Sequence, residues 1–500
     1  MSSETLTTIA LVNIGYLLIT LTIGAIAYRR RSSGADDYFL GGRSARTVVL
    51  FMALFGTNVT PFVLLGIPGI SYHHGVGVFG LNAAIIALGV PLTFYLIGYP
   101  AYLAARRVGA LTPAELYSER FASPAVGLVL FLAYFVYTLP YMVTAVIGVG
   151  LSAAVLTGGA LSFGVAAAAV LVITLLYTTL GGMRATMWTN VFQGTVFLGL
   201  MVAATAWIAA DLGGPTAAME RVAATRPELL VKAAGGAMAP GPWASWGLAI
   251  ALTVIGFPHI LVRLFAARDA TAIKNACRLY PLIMILLWIP AVLLGVWGAI
   301  EFPGLVAKAS DSILPMMIEA HLPPAVMGLA LAAVLAAVMS TLDAQLLTLS
   351  SMLTRDVLRR YLPSFTERRE VALGRAFLVV IAFAVFAIVM LEPASIFDIA
   401  AFAFSGYVTL VPVLYLGLRW PRMNAAGAIT SIVAGNLGLL LAWGGLLPAP
   451  GGILPVVWGL GAAIVGAWIG ARIGPATPEA ARRRVMAPID EVFARSERLG

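Results

Sequence analysis

Apolar stretches of about twenty residues or more, separated by short polar and basic loops, run the length of this 500-residue chain. A helix rises 1.5 Å per residue, so a bilayer core of ~30 Å asks for about twenty such residues per crossing. The pattern predicts thirteen spans, at about 7–27, 48–70, 76–105, 123–155, 161–180, 185–210, 243–266, 277–300, 324–354, 372–391, 395–418, 424–446 and 453–471. Two of them are interrupted. Segment 2 carries FGTNVTPF (55–62), and segment 7 carries TVIGFPHIL (253–261). Glycine, proline and polar residues there free backbone groups where no water is available to satisfy them.

The two breaks lie five segments apart, so their helices cross the membrane in opposite directions. That spacing suits an inverted five-plus-five repeat with a ligand site between the broken helices near the midplane. Two unrelated kinks, re-satisfied by neighbouring helices, are the plain alternative. The expected organisation is a peripheral helix and basic loop (1–35), a first five-helix repeat (36–210), an outer loop (211–242) and a second repeat (243–419). Two peripheral helices (420–473) and a cytoplasmic tail (474–500) complete it.

Composition agrees with an all-α polytopic membrane protein: 61% of residues are hydrophobic and 11% charged, with mean hydropathy +0.96. The single cysteine, Cys277, excludes an intrachain disulfide, and four scattered histidines make no metal motif. The first apolar run ends in Tyr28-Arg29-Arg30-Arg31 without a small-residue cleavage site, which marks a retained helix. If the N-terminus is outside, all but four of the 31 Lys and Arg fall in alternate loops and the tail; the exceptions are Arg221, Arg226, Lys232 and Lys308. The net charge of +9 is then topology rather than nucleic-acid binding, and the runs Arg29–Arg31 and Arg482–Arg484 are solvated anchors. A plasma (inner) membrane location with the C-terminus in the cytoplasm follows.

Four stretches resemble the sodium:solute symporter family: DDYFLGGRSARTVVLFMALFGTNVTPFVLLGIPG (36–69), LYTTLGGMRATMWTNVFQ (176–193), FPHILVRLFAARDA (257–270) and LAAVLAAVMSTLDAQLLTLSSMLTRDV (331–357). The resemblance runs from about 36 to 440 and implies the inverted-repeat fold of the leucine transporter and uptake coupled to Na⁺. It also implies a Na⁺ site made of the Gly56, Val59 and Ala337 carbonyls with the Ser340 and Thr341 hydroxyls. Helical spacing puts Ala337, Ser340, Thr341 and Ala344 on one small face of segment 9, where another backbone can approach. Ordinary back-bonding of Ser and Thr to their own helix is the competing reading. Many relatives carry acids where this chain has Asn58 and Asn190, and neither amide can take up a proton. Asn190 is expected on the cytoplasmic third of segment 6, along an ion exit.

Two carboxylates lie within segments. Asp343, one turn inward of the hydroxyl pair, is a candidate for attracting the leaving ion or for titrating. Asp398, near the outer end of segment 11, suits a wetted interface. No Lys or Arg falls in the middle of a segment, so an anionic solute would be met by the half-helix N-termini of the two breaks. Thr57, Asn58, Thr60, Phe62 and Phe257 are expected to line its site. Tyr137 and Tyr141, one turn apart beside Pro140, are further candidates, with plain packing as the alternative. His259 is a candidate gate or proton carrier, or a packed histidine bonded to a backbone carbonyl; His73 and His74 are expected to face water.

The expected function is alternating-access symport of Na⁺ with a small organic solute, best a carboxylate such as a monocarboxylate, proline or pantothenate. Proton coupling on the same fold is the main rival. A transporter-like sensor is disfavoured by a tail too short for a kinase domain, and an intramembrane enzyme by the lack of a converging catalytic set. The particular solute, the stoichiometry and the oligomeric state stay open.

Overall fold

Inside a bilayer a backbone must satisfy its own N–H and C=O groups, and the apolar runs do so as helices. The computed structural model describes residues 1–29, 34–233, 235–306, 308–361, 366–391 and 394–497, excepting the side chains of 35, 367, 368 and 495–497. Arg30 and Arg31, part of the first basic run, lie outside the described residues. Among those described, ten helices are long and apolar enough to cross a membrane, and counting two bent pairs as one span each makes twelve. The helix Phe163–Asp211 supplies one more, because it turns at Gly182, where φ is 58° and ψ −156°.

In chain order the spans are α1 (Ser3–Arg29), α2 (Thr47–Asn58 with Phe62–His74), α3 (Phe79–Val108), α4 (Pro124–Leu156), α5 (163–181) and α6 (183–211). They continue with α7 (Pro240–Gly256 with Pro258–Phe265), α8 (Ala270–Glu301), α9 (Pro324–Tyr361), α10 (Arg369–Val389), α11 (Ile396–Arg419), α12 (Ala425–Trp443) and α13 (Pro455–Ile473). Local sequence sets many of their starts. Asp269, Ser395 and Asn424 accept from the first-turn N–H groups of α8, α11 and α12. On the short helix Pro113–Phe121 the N-cap Thr112 hydroxyl accepts from Glu115 N, and the Glu115 carboxylate reaches back to accept from Leu111 N.

The loop alternation read from the basic residues is visible as contacts. The α1–α2 loop meets the α3–α4 loop through Arg43 and the Ala110 carbonyl (3.0 Å), and the α5–α6 turn through Arg184 and Asp37 (2.5 Å). The α3–α4 loop reaches the α7–α8 loop through Arg106 and the Arg268 carbonyl, and α9 through Glu115 and Arg355 (3.2 Å). It reaches the end of α11 through Arg120 and the Gly417 carbonyl (2.7 Å). The terminal helix Glu479–Glu497 joins the same face, with Arg484 near Glu119 (3.9 Å) and Arg419 over the Phe493 ring. Arg482–Arg484 are partly or fully exposed there, as anchors should be. At the opposite end Arg221 pairs with Glu301 and His321 with Asp211. One misplaced span would have scrambled this pairing.

The site is held by an enclosed centre. Among the unbroken spans α9 is the most buried and α1 and α10 are the least, and both broken spans are buried over most of their length. α12 and α13 pack on each other through small residues, Thr430 bonding the Gly466 carbonyl (2.6 Å) and Ser431 the Ala463 carbonyl (2.8 Å). α10 is as exposed along its length as α1.

Candidate functional site

Both breaks are real bends, of 57° in α2 and 46° in α7. In α2 the first half ends at Asn58, Val59 is extended (φ −86°, ψ 103°), and Pro61 opens the second half. Thr60 caps that half: its hydroxyl accepts from Phe62 N (3.2 Å) and its carbonyl from Val63 N (2.9 Å). Pro61 sits against Gly148 of α4, where a Cβ would come within 2.5 Å of the proline ring. In α7, Phe257 is extended and Pro258, which has no N–H to leave unpaired, starts the second half. Gly256 lies against α11: a Cβ there would stand 2.8 Å from the Tyr407 carbonyl oxygen.

Oxygens gather where the first break meets α9. Ser340 Oγ is 2.8 Å from the Gly56 carbonyl and 2.9 Å from that of Ala337. Thr341 Oγ1 is 3.0 Å from the Ala337 carbonyl and 3.4 Å from that of Thr57. The back-bonding reading and the cage reading therefore coincide in space. A hydroxyl has one hydrogen, so each can satisfy only one of its two carbonyls fully, and the remaining lone pairs face one another as they would around a small hard cation. All these residues are fully buried. Neither hydroxyl donates to the Val59 carbonyl, and the Thr57 carbonyl joins those of Gly56 and Ala337 around the pair. Thr57, assigned to the solute, turns to the cage, its Oγ1 lying 3.5 Å from the Ser340 carbonyl.

On the other side of the breaks is an aromatic box. The Tyr141 ring centroid is 5.1 Å from Phe257 and 5.2 Å from Phe404, and its hydroxyl approaches Thr60 Oγ1 (3.4 Å). Phe62 packs on Phe404 (5.1 Å) and Phe397 (5.6 Å), and Trp246 on Phe397 (5.0 Å). These rings separate the breaks from a cavity of about 610 Å³ at the less basic end, lined by Trp246, Phe397, Asp398, Phe402 and Trp443. Asp398 is exposed at the first turn of α11, bonded to Ser395 (2.6 Å), as expected of an interfacial acid. Phe397 and Phe404, seven residues and two turns apart on α11, are the signal the sequence reading passed over.

Three further candidates have neighbours of their own. Tyr137 does not join the box: its hydroxyl bonds Asn436 of α12 and its ring covers Gly406. Asn58, expected to line the solute site, donates to the buried Tyr280 hydroxyl of α8 (2.5 Å). His259 stacks on Phe257 (5.1 Å, 17°) and is bonded to no backbone carbonyl; neither ring nitrogen has a partner among the described residues. His73 is exposed and His74 half-buried, His73 meeting Ser310 at 3.1 Å.

The largest omission is Arg263. It is fully buried in the second half of α7, and Nη2 lies 3.2 Å from Asp343 Oδ1. A basic residue one helical turn past His259 within an eight-residue apolar half-helix was legible as an intramembrane charge; its nearness to the end of segment 7 made it look like a loop cation. Asp343 Oδ2 accepts from the Tyr177 hydroxyl of α5 (3.0 Å). Asn190 is not a free-standing exit residue: its backbone and Cβ stand about 3.5 Å from where a Gly56 side chain would begin. With its amide oxygen toward the guanidinium, the orientation that satisfies both ends, it accepts from Arg263 Nη2 (2.9 Å) and Thr57 Oγ1 (3.3 Å). Its nitrogen then donates to the Thr186 carbonyl (2.8 Å) and Gln193 Oε1 (3.0 Å).

Comparison with known proteins bears on this arrangement. The model of the sodium:solute symporter family matches residues 38–435. The sodium/pantothenate symporter of Haemophilus influenzae is 30% identical over 447 residues, covering 85% of this chain and 89% of that protein. The sodium/proline symporter of Escherichia coli is 26% identical over 453 residues, covering 85% and 86%. In three dimensions the chain resembles a Na⁺-coupled sialic acid symporter in a substrate-bound outward-open state, with a TM-score of 0.80 over 94% of this chain and 98% of that one at 19% identity.

Proposed function

This chain belongs to the sodium:solute symporter family, and from that premise we propose that it carries a small organic carboxylate into the cell by alternating access, driven by one ion bound between α2 and α9. The observation that carries the reading is the meeting of the Gly56, Thr57 and Ala337 carbonyls with the Ser340 and Thr341 hydroxyls at the first break. Uncharged oxygens at a helix break suit a hard monovalent cation that must bind and leave quickly.

The solute would lie among Tyr141, Phe257, Phe62 and Phe404, with Thr60 and Asn58 as polar contacts and His259 at its floor. Such a box suits a compact molecule with an apolar body and few polar groups, and disfavours a sugar. The pantothenate and proline carried by the relatives are both carboxylates. The cavity ending on Trp246 and Phe397 would be the outer vestibule, and the rings beneath it the outer gate. The concentration of basic loops at the other end supports a plasma (inner) membrane with that end in the cytoplasm.

Na⁺ is preferred to H⁺ because Asp343 is engaged by a permanent cation, Arg263, and Asn58 and Asn190 do not titrate. The test is uptake of a panel of labelled small acids into proteoliposomes under an imposed Na⁺ gradient or an imposed pH gradient. Accumulation under the Na⁺ gradient alone is expected; accumulation in Na⁺-free buffer under the pH gradient would overturn the reading.

A further inference from the structure

We infer that the Arg263 guanidinium fills, from within the chain, a second cation place beside the Na⁺ cage, so that the protein binds a single mobile Na⁺. The inference rests on the cage proposed above and adds its stoichiometry.

Arg263 and Asp343 are both wholly buried, and Asp343 lies two residues beyond Thr341 on α9. Asn190 touches both places, with one lone pair toward Thr57 Oγ1 (3.3 Å) and the other toward Arg263 Nη2 (2.9 Å). The guanidinium therefore stands one residue's width from the cage. The groups that receive it, the Asp343 carboxylate, the Asn190 amide oxygen and, behind the carboxylate, the Tyr177 hydroxyl, are the hard oxygen donors a Na⁺ would select.

Arg263 is held there by charge more than by shape. A guanidinium serving as a packing lock uses its fork, two parallel bonds to one carboxylate. Here Nη2 alone is engaged, and Nε and Nη1 have no partner among the described residues. Charge accounting points the same way. Asp343 and Arg263 cancel, so one Na⁺ in the neutral cage is the only net charge this region carries. Arginine does not give up its proton, so the place stays filled through the cycle. Removing Arg263 would leave a lone buried carboxylate, which a low-dielectric interior does not tolerate without a cation.

The test is equilibrium binding of ²²Na⁺, with no solute, to the purified full-length protein in nanodiscs at alkaline pH, where protons do not take the vacated place. The wild type is expected to saturate at one Na⁺ per chain without cooperativity. Arg263→Met should bind a second Na⁺; Arg263→Lys, which keeps a cation, should bind one. The double variant Arg263→Met/Asp343→Asn, which removes the carboxylate as well, should return to one. Two ions on the wild type, or one on a monodisperse Arg263→Met, would overturn the inference while leaving the cage intact. Should Arg263→Met fail to fold, Arg263→Gln, which also removes the charge, carries the same expectation of a second Na⁺ and the same power to overturn. Absence of Na⁺ binding to the wild type would instead overturn the cage, and the inference with it.

Discussion

Ser340 and Thr341 each bring one hydroxyl to the same two strips of backbone, and each can lose it without a change of bulk that α9 would notice. Ser340→Ala and Thr341→Ala should raise the Na⁺ concentration for half-maximal uptake about tenfold, which corresponds to ~1.4 kcal/mol of lost binding, at near-normal expression. An unchanged Na⁺ dependence in both would remove them from the site. At Gly56 a Cβ would meet Asn190 at 3.5 Å and Ser340 at 3.8 Å, ordinary contact distances. Gly56→Ala should therefore transport and Gly56→Leu should not, measured as initial uptake rate at matched membrane abundance. The hydroxyl pair was legible because helical spacing and family motif agree on it. Arg263, one turn past His259 in an apolar half-helix, was legible as a charge, but its burial was not, because it depends on the second half of α7 turning inward after the break, which the chain order does not reveal. Tyr280 gave no signal at all: nothing in the pattern of α8 marks its hydroxyl as the partner of Asn58.

At the scale of elements, the divisions between spans rest on a few backbone positions. Gly182 separates α5 from α6 in a conformation open to glycine and strained for other residues, and a Cβ would lie 2.5 Å from the Tyr38 carbonyl oxygen. Gly182→Ala is expected to lower the melting temperature measurably in detergent, more than Gly199→Ala, which meets open space in α6. A second junction is pH-sensitive. Asp311, in the α8–α9 loop, accepts from the first N–H of α11, Ile396 (2.9 Å), and stands 3.1 Å from a notional Gly69 Cβ on α2. Burial pushes its pKa up to about 6, opposed by the bond from Ile396 and helped by nearby Asp398. The folded state thus holds the proton more tightly than an unfolded chain, whose aspartates titrate near about 3.9. Stability from this group is full below that value and is lost as pH rises through about 6. Melting temperature should fall across that window in the wild type, and the Asp311 contribution should vanish in Asp311→Asn.

The whole molecule was the most legible scale. Thirteen spans and the parity of their loops follow from apolar run length and the placement of Arg and Lys, and the contacts among Arg43, Arg106, Arg120, Arg184 and Arg355 join those loops on one face. The peripheral position of α10 was not legible, because an apolar run reads the same against lipid as against protein. Orientation is open to direct measurement: in a Cys277→Ser background, Lys308→Cys should react with a membrane-impermeant maleimide in intact cells, and Arg483→Cys only after permeabilisation. The opposite pattern would invert the molecule. The roof of rings formed by Phe62, Trp246, Phe397 and Phe404 has a thermodynamic consequence. These rings meet face and edge, and the one polar atom among them, the Trp246 indole nitrogen, is already bonded to Asn82 (3.0 Å). Parting them wets apolar surface while breaking few polar bonds, so opening carries a positive heat-capacity change. The temperature dependence of the outward-opening equilibrium should then curve on a van't Hoff plot, with the closed state losing its advantage on cooling as well as on strong heating.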